Sequence, residues 1–297
     1  MQMTFMDDVA ISMPNTSEEH VSHYLRTGHC DINAYVCWPG NDVIDCMRRA
    51  KAALRSALVD AVRERVAHAR SFRTLPEVDV TRLTIEKVAP MVQGLFPLDE
   101  QPIVLDMLGR CVVFLTSANI ESVLTETVWC STAWTLSNLY LESIVAPLLG
   151  PDAPRLVGLS QATTCYVSKR YFEAEGAFDD FVVHEAAHIF HNCKRVTIGL
   201  PEVRRREWLL DIDFRKRETF AYCCEAFSRI VASAANRSTR HALVAHIADS
   251  AMPPDEDVDP DEYLDILREA CSARNGWKRI RERCAPPMRR GNRRTGN

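Results

Sequence analysis

The segment Val182–Phe190 constrains the chain more than any other part of the sequence. It reads Val-Val-His-Glu-Ala-Ala-His-Ile-Phe, and Glu185 is the single acidic residue in it. On a helix, His184 and His188 are about one turn apart and therefore lie on the same face. The apolar residues fall on the opposite side, so the segment predicts a helix with an apolar back and a histidine front. Two imidazoles placed in this way can direct nitrogen atoms at one Zn²⁺ ion from about 2.0–2.1 Å.

Glu185 lies beside the histidine face, where its carboxylate would contact a metal-bound water and not the metal itself. Zinc lowers the pKa of a bound water to about 7, so a carboxylate in this place can act as a general base. The alternative is a pair of satisfied histidines on the polar face of an ordinary helix, because a bare His-Glu-x-x-His also arises by chance.

The third metal ligand must come from another part of the sequence. His191 shares the histidine face, but a straight helix puts it about 10 Å along the axis from His184. Metzincins solve this with the pattern His-Glu-x-x-His-x-x-Gly-x-x-His, in which a glycine turns the chain. Here His191 and Lys194 occupy the positions of that glycine and of the last histidine. This argues against a metzincin, and we expect His191 to line a cleft, to contact a ligand histidine or to be a polar residue at the helix end.

The downstream segment Arg217–Phe227 offers a better third ligand. Its Glu-Thr-Phe-Ala sequence, which begins at Glu218, resembles the Glu-x-Phe-Ala pattern on the second zinc helix of gluzincins, particularly of the aminopeptidase branch. The resemblance covers these two helices only. It implies that one Zn²⁺ ion is held by three ligands, His184, His188 and Glu218. It also implies that Glu185 is the catalytic glutamate.

The chain departs from the gluzincin pattern in three places. Twenty-nine residues separate His188 from Glu218, which is more than is usual in the aminopeptidase branch. Arg217 stands where that branch has an asparagine. Tyr222 stands where thermolysin-like members carry an aspartate that holds a zinc histidine.

Two other glutamates remain open as the third ligand. Glu225 lies on the same polar face of the predicted helix as Glu218, and it could instead accept a hydrogen bond from a histidine N–H. This face could also be solvated, with an ion pair between Glu225 and Arg229. Glu207 fits the shorter family spacing but lies in a basic run.

Thermolysin-like enzymes use a histidine or a tyrosine to stabilise the oxyanion. The sequence leaves five candidates open for this role: Tyr166, Tyr222, His191, His241 and Arg217.

A basic segment joins the two predicted zinc helices. Its lysines and arginines are Lys194, Arg195, Arg204, Arg205, Arg206, Arg215, Lys216 and Arg217. Such runs are usually solvated. If this one lines the cleft, it would favour an acidic substrate or a carboxylate terminus.

Composition bounds the class of protein. The 297 residues are 46% hydrophobic and 26% charged, which is typical of a globular protein. A formal net charge of −4 gives no indication of nucleic-acid binding. The eleven cysteines are odd in number and contain no Cys-x-x-Cys, so we expect reduced thiols in a cytoplasmic protein. No signal peptide and no membrane span are predicted.

The pattern predicts a predominantly helical α+β fold. We expect a helical N-terminal region at 1–150, a zincin-like metallopeptidase core with a small sheet and two zinc-binding helices at 151–235, and a helical C-terminal region with a basic tail at 236–297. Residues 103–115 could form a helix or a strand. The strand-like segment 163–168 precedes the zinc helix, and the resemblance to zincins implies that it is an edge strand that pairs with extended substrate. An ordinary hairpin is the alternative.

Several helices can be placed by apolar periodicity. They are expected at 17–28, at 43–69, at 83–95 with a break near Pro90, at 119–149 in two pieces with Trp129 and Trp134 as core anchors, at 238–248 and at 262–274.

The function that these patterns predict is zinc-dependent hydrolysis of a peptide or protein substrate, with Glu185 as general base. Two alternatives stay open. One is a non-catalytic zincin-like module that binds or regulates a protein, and the other is a zinc hydrolase with a non-peptide substrate. The sequence makes no prediction about the oligomeric state.

Overall fold

The computed structural model describes residues 16–69, 76–173, 176–203 and 206–287. Arg204, Arg205 and the basic tail lie outside the described residues. The described α-helices, in chain order, are α1 (Ser17–Thr27), α2 (Val43–Val66), α3 (Val80–Leu95), α4 (Gln101–Gly109), α5 (Ile120–Glu126), α6 (Cys130–Ser143), α7 (Phe181–Asn192), α8 (Arg217–Ser233), α9 (Arg237–Ser250), α10 (Pro260–Ser272) and α11 (Gly276–Cys284). The strands are β1 (Val112–Phe114), β2 (Gly158–Gln161) and β3 (Thr164–Val167). The fold is thus mostly helical with a small sheet, as predicted.

The chain forms two compact units. The first contains Met1–Arg73 and Thr116–Leu156, and the second contains Thr74–Leu115 and Val157–Asn297. These bounds differ from the expected ranges 1–150, 151–235 and 236–297, because residues 76–115 pack with the unit that holds the histidine helix. All the candidate site residues belong to the second unit.

In the first unit, Gly28 caps the C-terminus of α1 and is left-handed at φ 73°. A Cβ at that position would lie 2.6 Å from the Trp134 ring, so only glycine fits. The Trp134 indole N–H in turn donates to the Leu25 carbonyl at 2.8 Å. Trp134 is a core anchor, as predicted, but the same prediction for Trp129 is wrong, because 62% of that side chain is exposed just before α6 begins.

The three strands of the second unit lie in the order β1-β3-β2. β1 pairs with β3 in parallel, and β2 pairs with β3 antiparallel. The expectation that segment 163–168 is an edge strand is therefore wrong. β3 is the central strand because residues 112–114, whose structure the sequence left open, supply a third strand. β1 and β2 are the two edge strands, and β2 packs against α7.

Helices α7 and α8 form the centre of the second unit. Every residue of α7 from Val182 to His191 is buried, so its histidine face is covered as well as its apolar back. Phe190 packs edge-to-face on Phe96 of the α3–α4 connection, with ring centroids 5.0 Å apart. The break predicted near Pro90 does not occur. Helix α3 continues through this residue. The proline removes only one backbone N–H donor from the helix, and the apolar side chains on either side of it stay packed in the core.

The α7–α8 connection is fixed by a buried arginine. Arg195 is 1% exposed, and its guanidinium forms two hydrogen bonds with the Glu100 carboxylate, at 2.7 and 3.1 Å. Its Nε also donates to the Pro201 carbonyl at 3.2 Å. This part of the predicted basic segment is therefore structural and not solvated.

Among the described helices, none is both long enough and apolar enough to cross a membrane.

Candidate metal centre

Three side chains of α7 and α8 converge on one point. The Nε2 atoms of His184 and His188 are 3.1 Å apart. The Oε2 atom of Glu218 lies 3.3 Å from Nε2 of His188 and 3.8 Å from Nε2 of His184. The two histidines are buried and Glu218 is about one-third exposed, so one side of the group is open.

These distances fit a small tetrahedral cation. Ligand atoms about 2.0–2.2 Å from an ion lie about 3.3–3.6 Å from one another when the ion is tetrahedral. The three observed separations of 3.1, 3.3 and 3.8 Å bracket that range. The group therefore could hold a metal ion, with His184, His188 and Glu218 as ligands.

Glu225 orients His184. Its Oε2 lies 3.2 Å from Nδ1 of His184, and its Oε1 accepts the backbone N–H of Asp180 at 2.6 Å. Because a carboxylate only accepts, Nδ1 of His184 carries a proton, and Nε2 is the ring nitrogen that faces the centre and could bind a metal. Glu225 is thus buried and bound to a histidine N–H. The solvated pair with Arg229 is wrong, since Arg229 donates to the Ala177 carbonyl instead.

Asp180 begins α7 and has partners on both carboxylate oxygens. Its Oδ2 lies 2.7 Å from the Lys87 ammonium on α3, and its Oδ1 accepts the Tyr171 hydroxyl at 3.3 Å. The carboxylate is therefore not used to cap its own helix. A continuous chain of polar contacts runs from Lys87 through Asp180 and Glu225 to His184.

His191 orients the second histidine. Its Nε2 lies 3.1 Å from Nδ1 of His188, and its Nδ1 lies 3.2 Å from Oδ1 of Asn192. Burial, together with the charges of His188 and Arg217, lowers the pKa of His191 to about 3, so this ring is neutral. A neutral His191 that donates to Asn192 accepts from His188, which again leaves Nε2 of His188 free to bind a metal.

The surroundings of His184 favour a cation. Burial alone would lower its pKa. The hydrogen bond and charge of Glu225, with the charges of Glu185 and Glu218, outweigh burial and raise the pKa to about 9. The negative charges that hold a proton on the His184 ring would also attract a metal ion. The metal ion would have to displace a proton from that ring when it binds.

Glu185 is buried at 6% exposure, against strand β2. A Cβ at Gly158 would lie 2.8 Å from Cγ of Glu185, so the missing side chain makes room for the carboxylate. Burial raises the pKa of Glu185, while the charges of His184 and His188 and a hydrogen bond from Ser160 oppose this shift. A buried carboxylate with a raised pKa is a stronger base than an exposed one.

The structure brings one further predicted residue to the centre. The Tyr222 ring lies 4.5 Å from the His184 ring, centroid to centroid, in an edge-to-face contact. Burial and the charge of Glu225 raise the pKa of the Tyr222 phenol, which therefore keeps its proton.

Three other predicted residues lie elsewhere. The charge of Glu185 helps to raise the pKa of the Cys165 thiol, so Cys165 lies on the face of the sheet towards the centre. Tyr166 is the next residue of β3, and successive side chains of a strand point to opposite faces, so Tyr166 points away from the centre. Nε2 of His241, on α9, lies 3.0 Å from the Ser272 hydroxyl of α10. Glu207 pairs with Lys194 at 2.6 Å.

Four residues that support the centre carry no signal in the sequence that would place them there. Gly158, Ser160, Asp180 and Lys87 reach it through contacts between β2, α3, α7 and α8 that are distant along the chain. Only the fold shows that they meet.

Comparison with known proteins gives no match to this chain, whether with protein family models, with curated proteins or with solved structures. The similarity to gluzincins therefore rests on the residues of α7 and α8 alone.

Glu225→Gln is expected to weaken metal binding about 10–100-fold, because the variant loses the charge that fixes the tautomer of His184. Titration of the metal-free protein with zinc against a competing chelator would measure this. Glu282→Gln on α11 removes an exposed carboxylate of the same unit and serves as the control. Equal zinc affinity in the Glu225 variant and in the wild-type protein would contradict the orienting role.

Proposed function

We propose that the chain is a zinc-dependent peptidase whose zincin-like core consists of the small sheet, α7 and α8. One observation carries the proposal: three ligand atoms of His184, His188 and Glu218 converge at tetrahedral spacing, with the buried carboxylate of Glu185 on the same helix. Imidazole nitrogens and a carboxylate oxygen are a donor set that suits zinc. Zinc bound there would supply a Lewis acid that polarises a peptide carbonyl and lowers the pKa of a bound water to about 7.

Glu185 would hold and move the proton of the reaction. Its carboxylate takes one proton from the attacking water as the water oxygen bonds to the scissile carbonyl carbon. It then gives that proton to the amide nitrogen as the carbon–nitrogen bond breaks, so that a carboxylic acid and an amine are formed. Gly158 leaves the space in which the carboxylate can do this.

Tyr222 is the residue best placed to stabilise the oxyanion. Its phenol stays protonated, and its ring lies against His184. The O–H could donate to the carbonyl oxygen as negative charge develops there.

The edge strand β2 would bind the substrate backbone. It pairs with β3 on one side only and packs against α7, which carries Glu185. An extended peptide added to β2 would form backbone hydrogen bonds, a mode of recognition that selects weakly among side chains.

The metal content of purified protein tests the proposal. We expect one zinc ion per chain in the wild-type protein, and loss of zinc in His188→Ala and in Glu218→Ala, because each variant removes one ligand. Glu207→Ala, at an exposed carboxylate paired with Lys194, should keep its zinc.

Elemental analysis after dialysis gives the stoichiometry, and circular dichroism shows whether each variant is folded. Zinc retained in Glu218→Ala would move the third ligand to another residue. A wild-type protein that takes up no zinc after reconstitution would overturn the proposed function.

A further inference from the structure

A cleft of about 1260 Å³ borders the candidate metal centre. Its wall includes His191 and Arg217, each of which is next to a ligand: His191 bonds to His188, and Arg217 directly precedes Glu218. Most of the remaining wall comes from the α7–α8 connection, including Arg206, Trp208 and Leu210, and the rest comes from Ala285 and Pro286, which follow α11. A molecule in this cleft would therefore lie beside the reacting centre.

Arg217 is the arginine of this wall that lies next to a candidate metal ligand. Its Nε is buried and has no acceptor within hydrogen-bond distance among the described residues. No described carboxylate lies within ion-pair distance of its guanidinium, one face of which stacks on the Phe214 ring at 5.2 Å. The stacking orients the planar group, and its Nε–H is left without a partner in the part of the chain that the structure describes.

The wall also carries a second arginine, Arg206, and three carboxylates, those of Glu202, Glu207 and Asp211. Glu207 pairs with Lys194 at 2.6 Å. The charge of Arg206 acts on Asp211 and on Glu100, in both cases favouring the charged carboxylate. Arg217 differs from Arg206 in that it directly precedes Glu218 and has a buried donor without an acceptor among the described residues. A guanidinium edge matches the two oxygens of a carboxylate.

We propose that Arg217 binds a carboxylate of the substrate in this cleft, so that the protein prefers peptides with a negative charge close to the scissile bond. The inference rests on the proposed function, since it assigns a substrate class to the same site. The carboxylate could be the C-terminus of the peptide or an acidic side chain.

The experiment measures binding without turnover. Zinc-loaded Glu185→Gln protein is dialysed against two mixtures of N-acetylated randomised tetrapeptides, one with a C-terminal carboxylate and one with a C-terminal amide. Mass spectrometry of the bound fraction gives the ratio of the two forms. It also shows whether aspartate and glutamate are enriched among the bound amides.

We expect one carboxylate source to be bound about tenfold better than its neutral counterpart, which is the range for a charge-assisted, bidentate hydrogen bond. Preference for the free C-terminus would identify the terminal carboxylate, and enrichment of acidic residues among the amides would identify a side chain. The preference should vanish when Arg217→Met is added and weaken when Arg217→Lys is added. Arg215→Met, which removes an exposed arginine two residues away, should keep it.

A ratio near one for both carboxylate sources, or a preference that survives Arg217→Met, would overturn the inference. The same holds if Arg215→Met removes the preference as fully as Arg217→Met, because the effect would then be one of overall charge. Hydrolysis of the same mixtures by the wild-type protein is measured separately. Absence of hydrolysis counts against the proposed function, whereas the binding ratio reports on Arg217 alone.

Discussion

Glu185→Gln is expected to lower peptide hydrolysis by about 10²–10⁴-fold while zinc and the fold remain, because the amide cannot accept the proton of the attacking water. The carboxylate is 6% exposed, and Gly158 leaves room for either side chain. Hydrolysis of a randomised peptide library, followed by mass spectrometry, would measure the loss, and elemental analysis would show that the metal is kept.

Glu86→Gln is a suitable control for this experiment, since it makes the same change at an exposed site on α3 of the same unit. Full activity in the Glu185 variant would show that another group acts as the base. A wild-type protein that binds zinc and peptides but hydrolyses none of them would favour the non-catalytic binding module.

Arg195→Met is expected to lower the free energy of unfolding by about 3–5 kcal/mol, because it leaves the Glu100 carboxylate partly buried without its partner. Arg195 is 1% exposed and also holds the Pro201 carbonyl, so the α7–α8 connection would loosen with it. Urea denaturation of the metal-free protein would measure the change. Arg110→Met breaks an exposed pair with Asp106 and should have little effect.

The stabilisation from this pair depends on pH. The hydrogen bonds and charge of Arg195 hold the pKa of Glu100 below its ordinary value, although burial opposes this. A carboxyl group whose pKa is lower in the folded state stabilises the protein above its unfolded pKa of about 4.3. This stabilisation is lost as the pH falls through the folded pKa. The difference between wild type and Arg195→Met should therefore shrink below about pH 4.3, and a constant difference down to acid pH would contradict the assignment.

Local patterns predicted most of the helices but not how segments far apart in the chain pair. Helix α2 begins at Val43, as its sequence indicates, and the Asp42 side chain caps it. β3 is the central strand only because residues 112–114 form a strand beside it. A short apolar run such as this one can be a strand or a buried helix segment, so periodicity alone could not predict the strand order. The prediction that Trp129 is a core anchor was wrong because this residue precedes the first turn of α6. Helical periodicity does not show which way a side chain points outside the helix.

The convergence of His184, His188 and Glu218 could be anticipated because two of them are four residues apart and the third lies in a familiar pattern. Spacing alone left Glu225 open as a ligand or as a partner of a histidine N–H. The structure places its carboxylate at Nδ1 of His184. No local pattern could place Gly158 against Glu185, because that contact depends on the packing of β2 on α7.

The carboxylate of Glu225 has a consequence for how the second unit folds. One oxygen holds the backbone N–H at the start of α7, and the other holds the ring of His184, 41 residues before Glu225 in the chain. The first turn of α7, the tautomer of a ligand and the register of α8 therefore depend on one side chain. An ion bound at the centre would stabilise all three together, so unwinding of the α7 terminus and release of the ion would be a single cooperative event.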